Sequence, residues 1–364
     1  MMPTSAKLPP PRLARVVEWI RHLLYRLHQR LVPPPAAMME MITATWTSQA
    51  ITVAAQLRIA DALAIGPLPI EDLADRVGAD ADALRRLLRA LIGRGVFRRR
   101  RDGRYELNSL AATLCSDAPV STTSAARFYG SREQRERWTL LVDSVRTGLS
   151  VVPALHGKDS FEYFADEPEL AELFNQTMTN ISELTTASVI AGYDFSTYPT
   201  IVDVGGGHGP LLAAVLAAAP ASRGVLYDLP SVVASARPLL EKHRVADRVR
   251  IAHGSFFDTV PAGGDAYILK NIIHDWCDET AVRILRNVRQ AAGPRAKVLL
   301  VEMVIPDNDR DFPGNWVDLE MLLNLGARER TAAEYRYLLS QAGFEMTRMV
   351  RTASPLSVVE ARVA

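Results

Sequence analysis

The sequence predicts an α/β protein, a doubly wound C-terminal domain preceded by a mainly helical domain with a winged helix. From about Asp194 onward, short β-branched runs alternate with helical stretches, the pattern of a parallel sheet covered on both faces. The first run, Ile201 to Val204, ends in the glycine cluster Gly205-Gly206-Gly207-His208-Gly209, and an alanine- and leucine-rich helix follows at once. Upstream, two amphipathic helices lead into a hairpin around Asp102-Gly103. Helix, turn, helix and hairpin in that order make a winged helix.

Composition sets the bounds. A chain of 364 residues suits two domains rather than one core. Apolar residues make up 48%, enough to build both cores and to argue against global disorder. A net charge of +1 argues against nucleic acid as the main partner. Cys115 and Cys277 lie far apart, so neither a disulfide framework nor a zinc set is expected, which fits a reducing cytoplasm. No apolar run reaches membrane-spanning length, and the N-terminus lacks an uninterrupted apolar signal core.

In chain order, residues 1–35 form an arm. Prolines bracket a helical segment from Arg12 to Leu31, with Val16, Val17, Ile20, Leu23, Leu24, Leu27 and Leu31 close to helical spacing. Its other face carries Arg12, Arg15, Arg21, Arg26 and Arg30 against the single acid Glu18. Packing on a partner subunit is the favoured reading; a weak membrane-surface contact through residues 12–31 is the alternative. Residues 36–120 are the helical, winged-helix domain. The second helix of the winged helix offers Arg85, Arg86 and Arg89 beside Asp80 and Asp82, but no Asn or Gln to read adenine edges, so Arg98 to Arg101 read as a solvated turn. Residues 121–195 are a helical linker rich in aromatic residues, which are more often core than ligand contacts. Residues 196–364 are the doubly wound domain. Strands fall near 200–204, 224–228, 248–252, 265–270, 297–303, 345–350 and 356–361, with helices including 209–219, 231–243, 279–291 and 331–342.

Chemistry collects at the carboxyl ends of these strands, where ligands bind in such sheets. Glycine allows a sharp turn and close approach of the backbone to a ligand. Gly205, Gly207 and Gly209 give G-x-G-x-G with Pro210 next, not the G-x-G-x-x-G of a pyrophosphate cradle. The spacing suits a smaller, adenosine-bearing ligand that meets the turn with its amino-acid end. Asp228 ends the second strand about 20 residues on, where a carboxylate meets ribose hydroxyls; capping the next helix is its structural alternative. Ser255 to Phe257, Lys270 and Glu302 fall at or just past other strand ends. His274 lies on a loop there, able to take a proton from a hydroxyl near neutral pH. Glu302 ends an apolar strand, where a charge is costly unless paired. Glu329 precedes a helix, and either a histidine or its neighbours Arg328 and Arg330 can pair with it.

The motifs DVGGGHG, YDLPSV, ILKNIIHDWCDE, VEMVIP and the late RERT followed by GF make residues 38–363 closely resemble S-adenosylmethionine-dependent O-methyltransferases of the plant caffeic acid type, with their bacterial polyketide- and phenazine-modifying relatives. The resemblance implies a Rossmann-like class I methyltransferase domain and a homodimer made through the winged-helix domain. It implies that Asp203, Gly205, Gly206 and Gly207 hold the methionine end of the cofactor, that Asp228 binds the ribose, and that Leu229 packs on the adenine. Ser255, Phe256, Phe257, Lys270 and Trp276 belong to the same cofactor set. His274 is implied as general base, flanked by Glu302 and Glu329, while Met178, Met321 and Asn324 match positions that line the acceptor pocket; Phe128 and Trp138 are further candidates for it from the sequence. Two features depart from the family. Ser255 stands where many members have an acid that binds the adenine amino group, and the arm has no counterpart.

The resulting expectation is metal-free methyl transfer from S-adenosylmethionine to a hydroxyl of a small aromatic acceptor, leaving S-adenosyl-L-homocysteine. Carbon methylation or another sulfonium-dependent reaction is the first alternative, and a DNA-binding regulator is a more distant one. The missing G-x-G-x-x-G speaks against a nicotinamide oxidoreductase.

Overall fold

The computed structural model describes residues 11–308 and 311–364. The first ten residues of the expected arm therefore lie outside the described residues, as do the side chains of Arg12 and Arg15. The chain forms two compact units. Of the described residues, one comprises those up to His22, Leu141–Ser160 and those from Ser182 to Ala364, and the other Leu23–Leu140 and Phe161–Ile181.

The second unit contains the helices α2 (Pro34–Ile42), α3 (Ala44–Gln56), α4 (Ile59–Leu63), α5 (Ile70–Val77) and α6 (Ala81–Gly93). It also holds the wing, β1 (Arg98–Arg99) and β2 (Tyr105–Glu106). α5 stops at Gly78, whose φ of 67° is left-handed, and Asp80 caps α6 by accepting from the Ala83 N–H. Leu73, Leu84, Leu88 and Leu91 then close on Phe97 and Tyr105. Each such buried side chain contributes roughly 1.5–3 kcal/mol. In the wing, Arg98 and Arg100 pair with Glu106, and Arg104 with Asp102, so these arginines balance local acids. A long helix, α1 (Pro11–Arg30), precedes α2.

The first unit is built on an eight-stranded sheet. Its strands are β3 (Thr200–Val204), β4 (Arg223–Asp228), β5 (Val249–His253), β6 (Ala266–Lys270), β7 (Lys297–Ile305), β8 (Arg330–Thr331), β9 (Phe344–Arg351) and β10 (Leu356–Val363). The order is β5-β4-β3-β6-β7-β10-β9, with β8 paired to β7. β3, β4, β5, β6 and β7 are parallel, and β10 is antiparallel to both β7 and β9. From β3 the chain steps outward to β4 and β5, then returns to place β6 on the other side of β3. That reversal is the switch point at which ligands bind.

Alternation along β3 divides the core. Val202 and Val204 face the cluster with Ile284, Leu285 and Val288 of the helix Asp278–Ala291, whereas Ile201 faces Leu212, Val215 and Leu216 of the helix Pro210–Ala218. The single helix expected over 231–243 is two short ones, Pro230–Val233 and Arg237–Lys242. Pro238 has no N–H to donate into a preceding turn, so it begins a new helix instead. A helix not expected, Pro313–Leu325, lies between β7 and β8. Among the described residues, no helix is long and apolar enough to cross a membrane.

Candidate active site

The glycine turn sits at the carboxyl end of β3. Gly205 and Gly207 have φ of 69° and 60°, where a side chain is disfavoured. A Cβ on Gly205 would lie 2.5 Å from Ile272 Cδ1 and 3.5 Å from Phe256 Cε1, and one on Gly206 would lie 2.6 Å from Asp203 Oδ2. The turn is thus packed against the loop that carries His274. Its amides are aimed by Asp228, whose Oδ2 accepts the Gly207 N–H at 2.8 Å while Oδ1 accepts the Leu229 N–H at 2.7 Å. One carboxylate therefore holds the glycine turn and the residue that follows its own strand, and it does not cap the helix Pro230–Val233. Leu229 itself is half exposed.

Behind the turn, Asp203 is buried and its Oδ2 has no hydrogen-bond partner. Burial pushes its pKa up to about 7, with Lys270 pulling the other way. Lys270 donates from Nζ to Ser182 Oγ at 3.0 Å. Burial lowers its pKa, and Asp203 and Glu302 oppose that. Phe256, Phe257 and Trp276 form an edge-on aromatic trio, with Phe257 4.7 Å from Phe256 and 4.8 Å from Trp276. Ser255 Oγ accepts the Phe257 N–H at 3.2 Å, so its hydroxyl shapes the turn that presents the two rings.

His274 sits in a short 3₁₀ turn, Ile273–Asp275, just after β6. Its Nδ1 is 2.7 Å from Glu329 Oε1, and the Glu329 side chain is fully buried. Glu329 is held in turn by its own N–H, which donates to Asp318 Oδ1 at 2.8 Å. Nε2 is left facing Asp275 Oδ1 at 3.4 Å. Burial alone pulls the imidazolium pKa down. The charge of Asp275, the hydrogen bond and charge of Glu329, and the charge of Glu302 overturn that and push it up to about 10. Burial also pushes Glu302 up to about 7 and Asp275 up to about 6, with His274 pulling both down.

Glu302 does a different job from Glu329. Its Oε1 accepts the Ile272 and Ile273 N–H groups at 3.1 and 2.9 Å, so it grips the backbone of the loop rather than the ring. Ligand atoms of His274, Glu302 and Glu329 lie within 4.8 Å of one another, close enough to share a metal ion. In that cluster Nδ1 is paired with Glu329 and Oε1 of Glu302 accepts from the loop amides, while Oε2 of Glu302 and Oε2 of Glu329 have no hydrogen-bond partner.

Arg330 is a residue the sequence reading did not single out for the site. Its side chain is fully buried, and it donates to the Ile273 carbonyl at 2.9 Å, to the Trp276 carbonyl at 2.7 Å and to Asp278 Oδ1 at 2.8 Å. Glu302 and Arg330 together fasten the His274 turn by its amides and its carbonyls. The order Glu329-Arg330 could have signalled this, because adjacent residues entering a strand point to opposite sides.

Of the residues expected to line the acceptor pocket, Phe128 is buried in the helix Thr123–Tyr129 of the second unit, with ring centroids 5.5 Å from Phe174 and 6.4 Å from Phe164. Trp138 and Met178 are partly buried on other helices of that unit. Met321 and Asn324 lie on Pro313–Leu325 in the first unit, where Asn324 Nδ2 donates to the Glu320 carbonyl at 3.0 Å.

A family model for the O-methyltransferase domain matches residues 138–345, and one for the O-methyltransferase dimerisation domain matches residues 39–117. The phenazine O-methyltransferase of Lysobacter antibioticus is 41% identical over 331 residues, 91% of this chain and 97% of that one. The crystal structure of LaPhzM is similar with a TM-score of 0.87 at 41% identity, over 92% of this chain and 100% of that one. An O-methyltransferase from neocarzinostatin biosynthesis, solved with S-adenosylmethionine and 2-hydroxy-5-methyl naphthoic acid, is similar with a TM-score of 0.74 at 34% identity, over 87% of this chain and 96% of that one. Matched by both domain models and by relatives along nearly its whole length, the chain belongs to the O-methyltransferase family.

Proposed function

We propose that this protein moves the methyl group of S-adenosylmethionine to a hydroxyl of an aromatic small molecule, with His274 as general base. The observation that carries the reading is His274 fixed by Glu329 on a loop packed against the Gly205 turn.

The residues fit the cofactor. A buried Asp203 oxygen without a partner, a glycine cradle that a Cβ would fill, and Asp228 at a strand end offer the polar groups for its amino-acid and ribose parts. Phe256, Phe257 and Trp276 offer an aromatic surface for its base, with Leu229, Ser255 and Lys270 in the same set. When bound, S-adenosylmethionine supplies an electrophilic methyl on sulfur, and the protein's task is to align a nucleophile and keep water out. His274 Nε2 takes the proton of the acceptor hydroxyl while Nδ1–H donates to Glu329. A phenol with a pKa near 10 is matched to an imidazolium raised to about 10, so the transfer runs close to level. Asp275, beside Nε2, stabilises the charge that forms. In this mechanism no metal takes part: the sulfonium methyl is already the electrophile and His274 is the base.

Met321 and Asn324 are assigned to the acceptor, and Phe128, Trp138 and Met178 are assigned to it singly, each to be tested by its own effect on KM. The protein works as a homodimer paired through residues 39–117, in the cytoplasm. Label transfer from S-adenosylmethionine to a panel of phenols, catechols and hydroxylated polycyclic quinones tests the reading. An O-methyl product supports it. Label found only on carbon would replace it with the carbon-methylating alternative.

A further inference from the structure

α1 wears its apolar side outward. At helical spacing Leu13, Val16, Ile20, Leu23, Leu24 and Leu27 share one face, and each is between 42% and 58% exposed. The partly covered residues, Ala14, His22 and Gln29, lie on the opposite side. There Gln29 Nε2 donates to Met41 Sδ at 3.4 Å, and His28 Nε2 lies 3.4 Å from Glu40 Oε2. A surface helix of a lone globular chain is turned the other way, apolar face to the core. Fifteen of the twenty-eight exposed large hydrophobic side chains among the described residues fall between Leu13 and Trp46. An apolar strip of that density marks an interface.

We propose that α1 extends the dimer interface by packing its outward face on a second copy of this chain. The helix precedes the stretch that matches the dimerisation domain, residues 39–117, so it is an addition to what the family model describes. Exposed apolar residues go on along the chain past the end of the helix: Met39, Ile42 and Trp46, inside that matched stretch, are each more than half exposed. An exposed apolar run that carries on along the chain into the dimerisation-domain match favours a second copy over a lipid surface, for which a single amphipathic helix without another anchor is weak. A helix of 20 residues is about 30 Å long and can supply much of the roughly 800 Å² that each partner buries in a stable interface.

The inference rests on the reading that the chain pairs through residues 39–117, and the test separates the two. Sedimentation equilibrium of the full-length protein is compared with Ile20→Asp/Leu27→Asp, from micromolar to nanomolar concentration. The wild type is expected to dimerise, and the variant to need roughly a hundredfold higher concentration. Its circular dichroism and S-adenosylhomocysteine binding should be unchanged, and Leu27→Met should associate like the wild type. A wild type that stays monomeric overturns the pairing itself. A folded aspartate variant that pairs as tightly as the wild type overturns only the part given to α1. So does a variant that loses binding to phosphatidylserine vesicles while its dimer is unaffected. If the aspartates prevent folding, hydroxyl-radical footprinting of the wild type decides: Leu24 and Leu27 should be protected above the dissociation concentration and labelled below it, and equal labelling at both overturns the proposal.

Discussion

Glu329 Oε1 lies 2.7 Å from Nδ1 of His274, and this contact fixes which nitrogen of the ring is free to act. With Nδ1–H held by a buried carboxylate, the basic lone pair is on Nε2. The same carboxylate helps raise the imidazolium pKa to about 10, so activity should climb with pH through and above neutrality as the ring loses its proton. Glu329→Gln should move that ascending limb down by about 1–2 pH units and cut the plateau rate roughly tenfold or more. A pH–kcat/KM profile of the variant that overlays the wild type would contradict the pairing. Stability carries the matching sign. A histidine whose pKa rises on folding adds stability that is full below its unfolded value near 6.5 and is lost as pH rises to about 10. The stability gap between wild type and Glu329→Gln in urea melts should therefore be largest near pH 6 and shrink toward pH 10.

Arg330 should act through the loop it straps. Arg330→Met leaves the Ile273 and Trp276 carbonyls without their buried donor, a loss of roughly 2–4 kcal/mol by urea melts. Because His274 lies between those carbonyls, kcat should fall while the Kd for S-adenosylhomocysteine stays near the wild-type value in variant molecules that remain folded. A loss in Kd with kcat unchanged would place Arg330 on the cofactor side instead.

Two glycines of one turn should respond differently. Gly205→Ala meets both a left-handed φ and the Ile272 side chain, whereas Gly207→Ala meets only the φ. Left-handed backbone alone costs a non-glycine residue roughly 1–2 kcal/mol. Calorimetric binding of S-adenosylhomocysteine should thus weaken more than about tenfold in Gly205→Ala and by less in Gly207→Ala. The reverse order would contradict the packing of the turn on the His274 loop.

Chelation separates the metal-free mechanism from a metal-bridged one. Prolonged dialysis against EDTA should leave kcat within about twofold, since base catalysis by His274 needs no Lewis acid. Lost activity restored by a divalent ion would assign His274, Glu302 and Glu329 to a metal instead.

Much of this site was legible because its signals are local. The glycine turn, Asp228 and His274 each stand at the end of an apolar β-branched run, and a period of two places such positions without knowledge of the fold. The contacts among them are not local. Arg330 reaches the Ile273 carbonyl across 57 residues, and Glu302 reaches the Ile272 N–H across 30, with nothing in the intervening pattern recording either. Sequence therefore grouped Glu302 and Glu329 as two flanking acids, while the structure gives one to the backbone and the other to the ring. The outward face of α1 was hidden for a related reason. Spacing reveals that a helix has an apolar side but not which way that side points.

The most direct test of the account is single-turnover methyl transfer by His274→Ala beside the wild type, with S-adenosylmethionine binding measured on both. The account predicts wild-type cofactor binding and a rate lower by about 10²–10⁴ at neutral pH. A rate within about threefold of wild type at neutral pH, with the cofactor bound, would contradict it.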